Sequence, residues 1–224
     1  MTRTCLLVVA KAPVAGLAKT RLAAAVGARH AARIAAASLL DTIDAVLATP
    51  DTVAVVAMTG APAAAERADE LAAALARCTV VSQHGTDFAT RLANAHTAAA
   101  GLGAPVLQIG MDTPQLTPAL LAASAAALHA PGTGAVLGPA TDGGWWALGL
   151  RRPGPARVLR GIPMSRPDTG ARTGNALRHA GLTVTALPEL SDVDTMADAL
   201  RVAAVAPAGR FAAAVADAMR QAVS

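Results

Sequence analysis

"CLLVVAKAPVAGLAKTRL", residues 5–22, joins an apolar run to a loop that carries both lysines of the chain, Lys11 and Lys19, with Arg21 close behind. CLLVVA (5–10) reads as a buried strand, a short apolar run that stops at turn residues. In open parallel sheets, ligands bind beyond the carboxyl ends of the strands. A basic loop placed there suits an anion. Gly16 lets a ligand approach the backbone, and main-chain N–H groups together with lysine and arginine hold phosphates. The same residues would also serve as a solvated turn whose cations pair with nearby carboxylates. VAGLAKT shares a Lys-Thr pair with the Walker A loop but lacks its glycine spacing, so a P-loop ATPase is a poor fit.

Outward from this stretch, strand-like and helix-like segments alternate. The spacing predicts helices over 28–48, 63–76, 87–101 and 117–129, with Asp87 and Thr117 as N-caps and Pro118 at a first helical position. Strands are expected at 52–58, 78–82, 105–112, 134–140, 145–150 and 182–187, and helices close the chain. Such alternation predicts an α/β fold, a three-layer α/β/α sandwich around a mainly parallel mixed sheet. No long linker or internal repeat divides the 224 residues, and a single domain over 1–224 is expected.

Composition narrows the function. The net charge is +4 and the pI near 10.0, yet the arginines are scattered and only two Phe and two Trp are available for stacking. A nucleic-acid groove is not expected. No apolar run reaches membrane-spanning length and no signal peptide is evident, so the reading is a cytoplasmic protein with no membrane partner. Cys5 and Cys78 fall in segments read as buried strands, as core thiols rather than a disulfide or zinc framework. His84 sits on a loop where it could touch a base or ribose. His30, His96, His129 and His179 lack ligand spacing and read as surface or helix-face residues, and Ser165 has no evident base partner.

Four carboxylates stand out. Asp112, in IGMDTP, is delivered by an apolar strand to a turn, and it is either a turn-initiating residue or a Mg²⁺ ligand. Asp192 and Asp194 precede Thr195, as a helix cap, as metal ligands, or as one of each. Asp142 lies in TDGGWW (141–146), which holds both tryptophans and reads as a tight turn or an acceptor-site loop.

Taken together, these segments resemble a bacterial family with the nucleotide-diphospho-sugar transferase (GT-A) fold, often labelled glycosyltransferases of arsenosugar biosynthesis. More distantly they are similar to molybdenum-cofactor and phospholactate guanylyltransferases. Lys11, Pro13, Gly16, Lys19, Thr20, Arg21 and Leu22 match the family's K-x-P-x-x-G-x-x-K-T-R-L, and Gln83, Gly85, Asp87 and Arg91 match a Q-x-G-x-D segment followed by Arg. GMDTPQLTP, GPATDGGWWALGL and DVDT match in order, so the likeness runs from residue 5 to about residue 200. The resemblance implies that the 11–21 loop, with Lys11, Pro13, Gly16 and Thr20, wraps a nucleotide's phosphates, and that Gln83, Asp87 and Arg91 belong to the nucleotide site. It implies Mg²⁺ or Mn²⁺ on Asp112 and on one or both of Asp192 and Asp194. Lys19, Arg21, Asp112 and Asp142 are the expected catalytic groups. The chain departs from the pattern at Ala89, Thr113, Trp145, Trp146, Met164 and Arg166. These changes cluster where an acceptor would sit.

Three functions follow as expectations. The first is nucleotidylyl transfer from a nucleoside triphosphate to a small acceptor with release of pyrophosphate, favoured by the concentration of cations in the loop. The second is glycosyl transfer from an NDP-sugar, with Asp142 as general base. The third is a nucleotide-binding module without turnover. The acceptor and the oligomeric state carry no signature in the sequence.

Overall fold

The computed structural model describes residues 3–222. Its centre is β1 (Thr4–Lys11), in which every residue but the last is buried. Side chains alternate between faces along a strand. Leu6, Val8 and Ala10 accordingly enter one apolar cluster, while Cys5, Leu7 and Val9 enter another on the opposite face. A strand apolar on both faces must sit between two layers, and β1 does. It pairs in parallel with β2 (Thr52–Thr59) on one side and β4 (Val106–Gly110) on the other, and β2 pairs in parallel with β3 (Thr79–Ser82). The sheet continues through β6 (Trp145–Leu150) and β5 (Ala135–Pro139) to β7 (Val184–Ala186), giving the order β3-β2-β1-β4-β6-β5-β7. Only β6 runs against the rest.

Three layers result, as expected. One face is covered by α2 (Ala28–Leu47), α3 (Ala68–Leu75) and α5 (Pro118–His129), through residues such as Leu39, Ile43, Leu71 and Leu121. The other is covered by α4 (Phe88–Ala100), a 3-10 stretch (Gly154–Gly161) and α6 (Thr169–His179), through Leu92, Leu159 and Leu177. A third cluster lies beside the sheet. There α1 (Thr20–Val26), α7 (Met196–Val205) and α8 (Arg210–Ala222) bury Leu22, Val202, Phe211 and Val215 against Ile34 of α2. Each such side chain taken fully out of water contributes about 1.5–3 kcal/mol. No helix among the described residues is long and apolar enough to cross a membrane.

Some local expectations need correction. The strand at 78–82 is not buried: β3 is the edge of the sheet, Val80 is exposed, and Cys78 lies just before it, half-buried. His96 is fully buried rather than on the surface, and its Nδ1 meets Gln108 Oε1 of β4 at 3.2 Å. The 11–21 loop also ends earlier than its composition suggests, because α1 starts at Thr20.

Candidate functional site

The topology brings the separated motifs to one edge. Lys11 ends β1, Asp112 lies two residues beyond β4, Asp142 lies between β5 and β6, and Asp192 and Asp194 follow β7. Since β6 alone is reversed, the start of β6 and the ends of the other strands share that edge. The Asp192–Asp194 segment is pinned there by its backbone. Ala140 and Leu190 form a parallel bridge that prolongs the β5–β7 pairing, Thr141 N donates to Leu190 O at 3.0 Å, and Val193 N donates to Asp112 O at 3.2 Å. Gln115 adds a bond from Nε2 to Ser191 O at 2.5 Å, and Ser38 of α2 donates to Met111 O at 2.9 Å. Neither Gln115 nor Ser38 carries a sequence signal, since both act on main-chain atoms of distant segments.

One oxygen from each of Asp112, Asp192 and Asp194 lies within 4.8 Å of the others, a group of half-buried carboxylates that could hold a metal ion. Lys19 reaches into it. Its Nζ donates to Asp112 Oδ2 at 2.7 Å and to Asp194 Oδ1 at 3.0 Å, and Arg21 donates to the other oxygen of Asp194 at 3.3 Å. Burial alone would lower the Lys19 pKa; Asp112 and then Asp194 more than reverse this and hold it above the ordinary lysine range. Asp192 has no ion-pair partner among the described residues. Its pKa is pushed up to about 6, first by burial and then by the charges of Asp142, Asp112 and Asp194. The lysine therefore leaves this cluster short of positive charge. Hard divalent cations take such oxygen donors, so the residues present fit one.

The remaining loop residues are placed as follows. Lys11 turns back along its own loop and donates to Leu17 O at 2.7 Å, Pro13 is buried, and Thr20 is exposed at the start of α1. Gly16 has φ +80°, which favours glycine, with open space where a side chain would stand. Gln83 Nε2 bridges Ala10 O and Ala57 O, both at 2.8 Å, tying the ends of β1 and β2. Asp87 caps α4. The Thr90 N–H at 2.8 Å is the main cause of its lowered pKa. Arg91 lies over the Phe88 ring with its buried Nε unpaired among the described residues. The Asp142 carboxylate is exposed and accepts from Gly144 N at 2.7 Å. Gly143, at φ +86°, packs on Pro167, where any Cβ would overlap the carbonyl. Trp146 is buried and donates to Pro188 O, whereas the Trp145 indole N–H has no partner among the described residues. A cavity of about 600 Å³ opens at the opposite edge of the sheet, beside His129, Arg151 and Arg152, with no carboxylate among the described residues of its lining.

The sequence matches the family described as "Uncharacterized protein conserved in bacteria (DUF2064)" over residues 42–166, more than half its length. The chain belongs to the DUF2064 family. No protein of curated function matches this DUF2064 sequence. Among solved structures, it is similar to a Desulfovibrio desulfuricans G20 protein provisionally named a nucleotide-diphospho-sugar transferase. The identity is 26% and the TM-score 0.80, over 97% of this chain and 99% of that one. The fold is that of the nucleotide-diphospho-sugar transferases. Two further likenesses concern the fold alone. One is to a CMP:2-keto-3-deoxy-manno-octonic acid synthetase complexed with CTP (12% identity, TM-score 0.57, covering 92% and 99% of the two chains). The other is to the 4-diphosphocytidyl-2C-methyl-D-erythritol synthase of Anaerococcus prevotii DSM 20548 (11% identity, TM-score 0.61, covering 92% and 96%).

Proposed function

We propose that this DUF2064 chain is a metal-dependent nucleotidylyltransferase. The observation that carries the reading is the meeting of Lys19, at the end of the loop after β1, and Arg21, in the first turn of α1, with the Asp112–Asp192–Asp194 carboxylates at the carboxyl edge of the sheet. An acceptor oxygen attacks the α-phosphorus of a nucleoside triphosphate, the bond from that phosphorus to the bridging oxygen breaks, and pyrophosphate leaves. Such in-line displacement asks the protein chiefly for positioning and charge neutralisation. A Mg²⁺ or Mn²⁺ ion on Asp112, with Asp192 or Asp194, would supply charge to the phosphate oxygens. Lys19 and Arg21 face the leaving pyrophosphate, and the glycine-opened backbone around Gly16 receives the remaining α-phosphate. The two synthetases of like fold, one of them complexed with CTP, support a nucleotide substrate.

Glycosyl transfer from an NDP-sugar is the second reading. It is favoured by the name of the Desulfovibrio relative and by the exposed Asp142 carboxylate, available as a general base. The two readings differ in the leaving group. Incubation of the protein and Mg²⁺ with each of the four nucleoside triphosphates, and separately with UDP- and GDP-sugars, should first show raised melting temperature with one class of ligand. Pyrophosphate release with a pool of phosphorylated and hydroxylated acceptors supports nucleotidylyl transfer. Release of a nucleoside diphosphate from a sugar nucleotide replaces it with glycosyl transfer, and no stabilisation by any nucleotide overturns both.

A further inference from the structure

Lys19 occupies a position that two functions contest. Its ammonium bridges Asp112 and Asp194 at 2.7 and 3.0 Å, and the side chain is only 13% exposed, against 74% for Arg21. These carboxylates belong to the group whose oxygens converge within 4.8 Å. An ammonium and a divalent cation drawn to the same two carboxylates repel each other at such short range, so each lowers the other's hold on the pair. The backbone adds to the picture. Lys19 has φ 50° and ψ 53°, the left-handed region, with no side-chain cap, a conformation that surrounding contacts must hold in a non-glycine residue. The ammonium rides on a flexible four-carbon stem, so the charge can move several ångströms while the backbone stays in place.

We infer that the Lys19 ammonium is the resident counter-ion of the Asp112–Asp194 pair and yields its place to a divalent cation, which turns it outward to the phosphates of the nucleotide. This rests on the proposed metal site. The exchange makes the phosphate-binding charge conditional on metal. Without metal, Lys19 is committed to carboxylates and the outward charge of the loop is reduced. With metal, the carboxylates are satisfied and the lysine is released. Lys11 does not duplicate the role, since its Nζ is bound to Leu17 O of its own loop.

The lysine content makes a direct test possible on the unaltered protein. Lys11 and Lys19 are the only lysines, so acetylation by a succinimidyl ester, read by mass spectrometry of the peptides, reports Lys19 with Lys11 as internal reference. The Lys19-to-Lys11 rate ratio should rise several-fold between EDTA and saturating Mn²⁺ without nucleotide. An unchanged or lower ratio, with Mn²⁺ shown to be bound by its electron paramagnetic resonance signal, overturns the exchange while leaving the metal site standing. If wild type binds no Mn²⁺, the metal site itself fails and the exchange with it. A second measurement uses Lys19→Met, checked for folding by its melt in the presence of Mn²⁺. Its affinity for Mn²⁺ alone should be about tenfold tighter than wild type, the scale of repulsion between a unit charge and a dication a few ångströms apart in a water-like dielectric. Equal or weaker binding by a folded variant overturns the proposal.

Discussion

Asp192 has a pKa near 6 because burial and three neighbouring carboxylates penalise its charge, and this gives the cluster two opposite responses to acid. A protonated carboxyl does not ligate metal, so Mn²⁺ affinity should fall as pH drops through about 6. Calorimetric titrations at stepped pH check this, and a flat profile would remove Asp192 from the ligand set. In EDTA the sign reverses. Between the ordinary carboxylate pKa of 3.8 and about 6 the folded state binds more protons than the unfolded one, so this group's contribution to stability falls as pH rises. Asp192→Asn should therefore melt above wild type at neutral pH without metal, and the advantage should vanish in acid. Asp112→Asn addresses the shared centre. It should retain the fold, lose metal binding and lower turnover by about 10²-fold or more, as for other groups that stabilise transition-state charge. Full activity in this variant would contradict the assignment.

Elements decide how well these residues are held. Helix α7 begins with a capping box in which Thr195 and Asp198 satisfy each other's backbone N–H groups, and Asp198 also accepts from Asp194 N at 3.3 Å. Loss of such a cap costs about 0.5–2 kcal/mol. Thr195→Ala should lower the melting temperature and also weaken Mn²⁺ binding, because the cap fixes the residue before it. A change in stability alone would separate the cap from the site. Between α4 and β4, the buried His96–Gln108 contact gives an independent acid response. Burial depresses the His96 pKa from 6.5 to about 4, so the folded state keeps it neutral. Stability contributed above 6.5 is lost as pH falls from 6.5 toward 4, by at most about 3 kcal/mol. Denaturant titrations of His96→Gln should show a shallower loss across that window, and a slope equal to wild type would exclude His96 as its source.

How far these elements could be read beforehand follows from how local their causes are. β1 and β4 are legible because an apolar run ends abruptly in Lys11 and, two residues past β4, in Asp112. α4 and α5 are legible because Asp87 and Thr117 cap them within three residues of sequence. α1 is not, since Lys19 precedes it in a left-handed conformation without any side-chain cap. His96 reads as a surface residue because its partner, Gln108, lies on another element. The exposure of β3 depends on its place at the sheet edge, which only the finished strand order defines. At the site, each charged motif was visible by itself, but the bond between Lys19 and Asp194 spans 175 positions and no spacing rule reaches that far.

At the scale of the whole molecule, the sheet supplies the edge and the third apolar cluster draws it shut. Leu22 of α1 and Val202 of α7 share that cluster with Phe211 and Val215 of α8, placing the helices that follow Lys19 and Asp194 against a common support. α8 is fixed in turn by Asp41 of α2, whose oxygens accept from Arg210 N at 3.1 Å and Phe211 N at 2.8 Å, and by an Arg210–Asp44 pair at 2.5 Å. Asp41→Ala should destabilise the protein by about 1–2 kcal/mol as a lost helix-end partner. It should also loosen the carboxylate cluster at a distance, seen as weaker Mn²⁺ binding in a variant that touches none of its members. Unaltered Mn²⁺ affinity would mean that the cluster is held by the sheet edge alone.

The order of synthesis gives this arrangement one more consequence. Lys19 is made 175 residues before Asp194, so the ion pair that joins them has no partner while that stretch is synthesised. Until residues 196–222 emerge, Leu22 and Ile34 lack the covering surface of α7 and α8. A message cut short after β7 would still encode every strand of the sheet, yet its product would display an apolar flank and carry a basic loop with half its counter-charge missing.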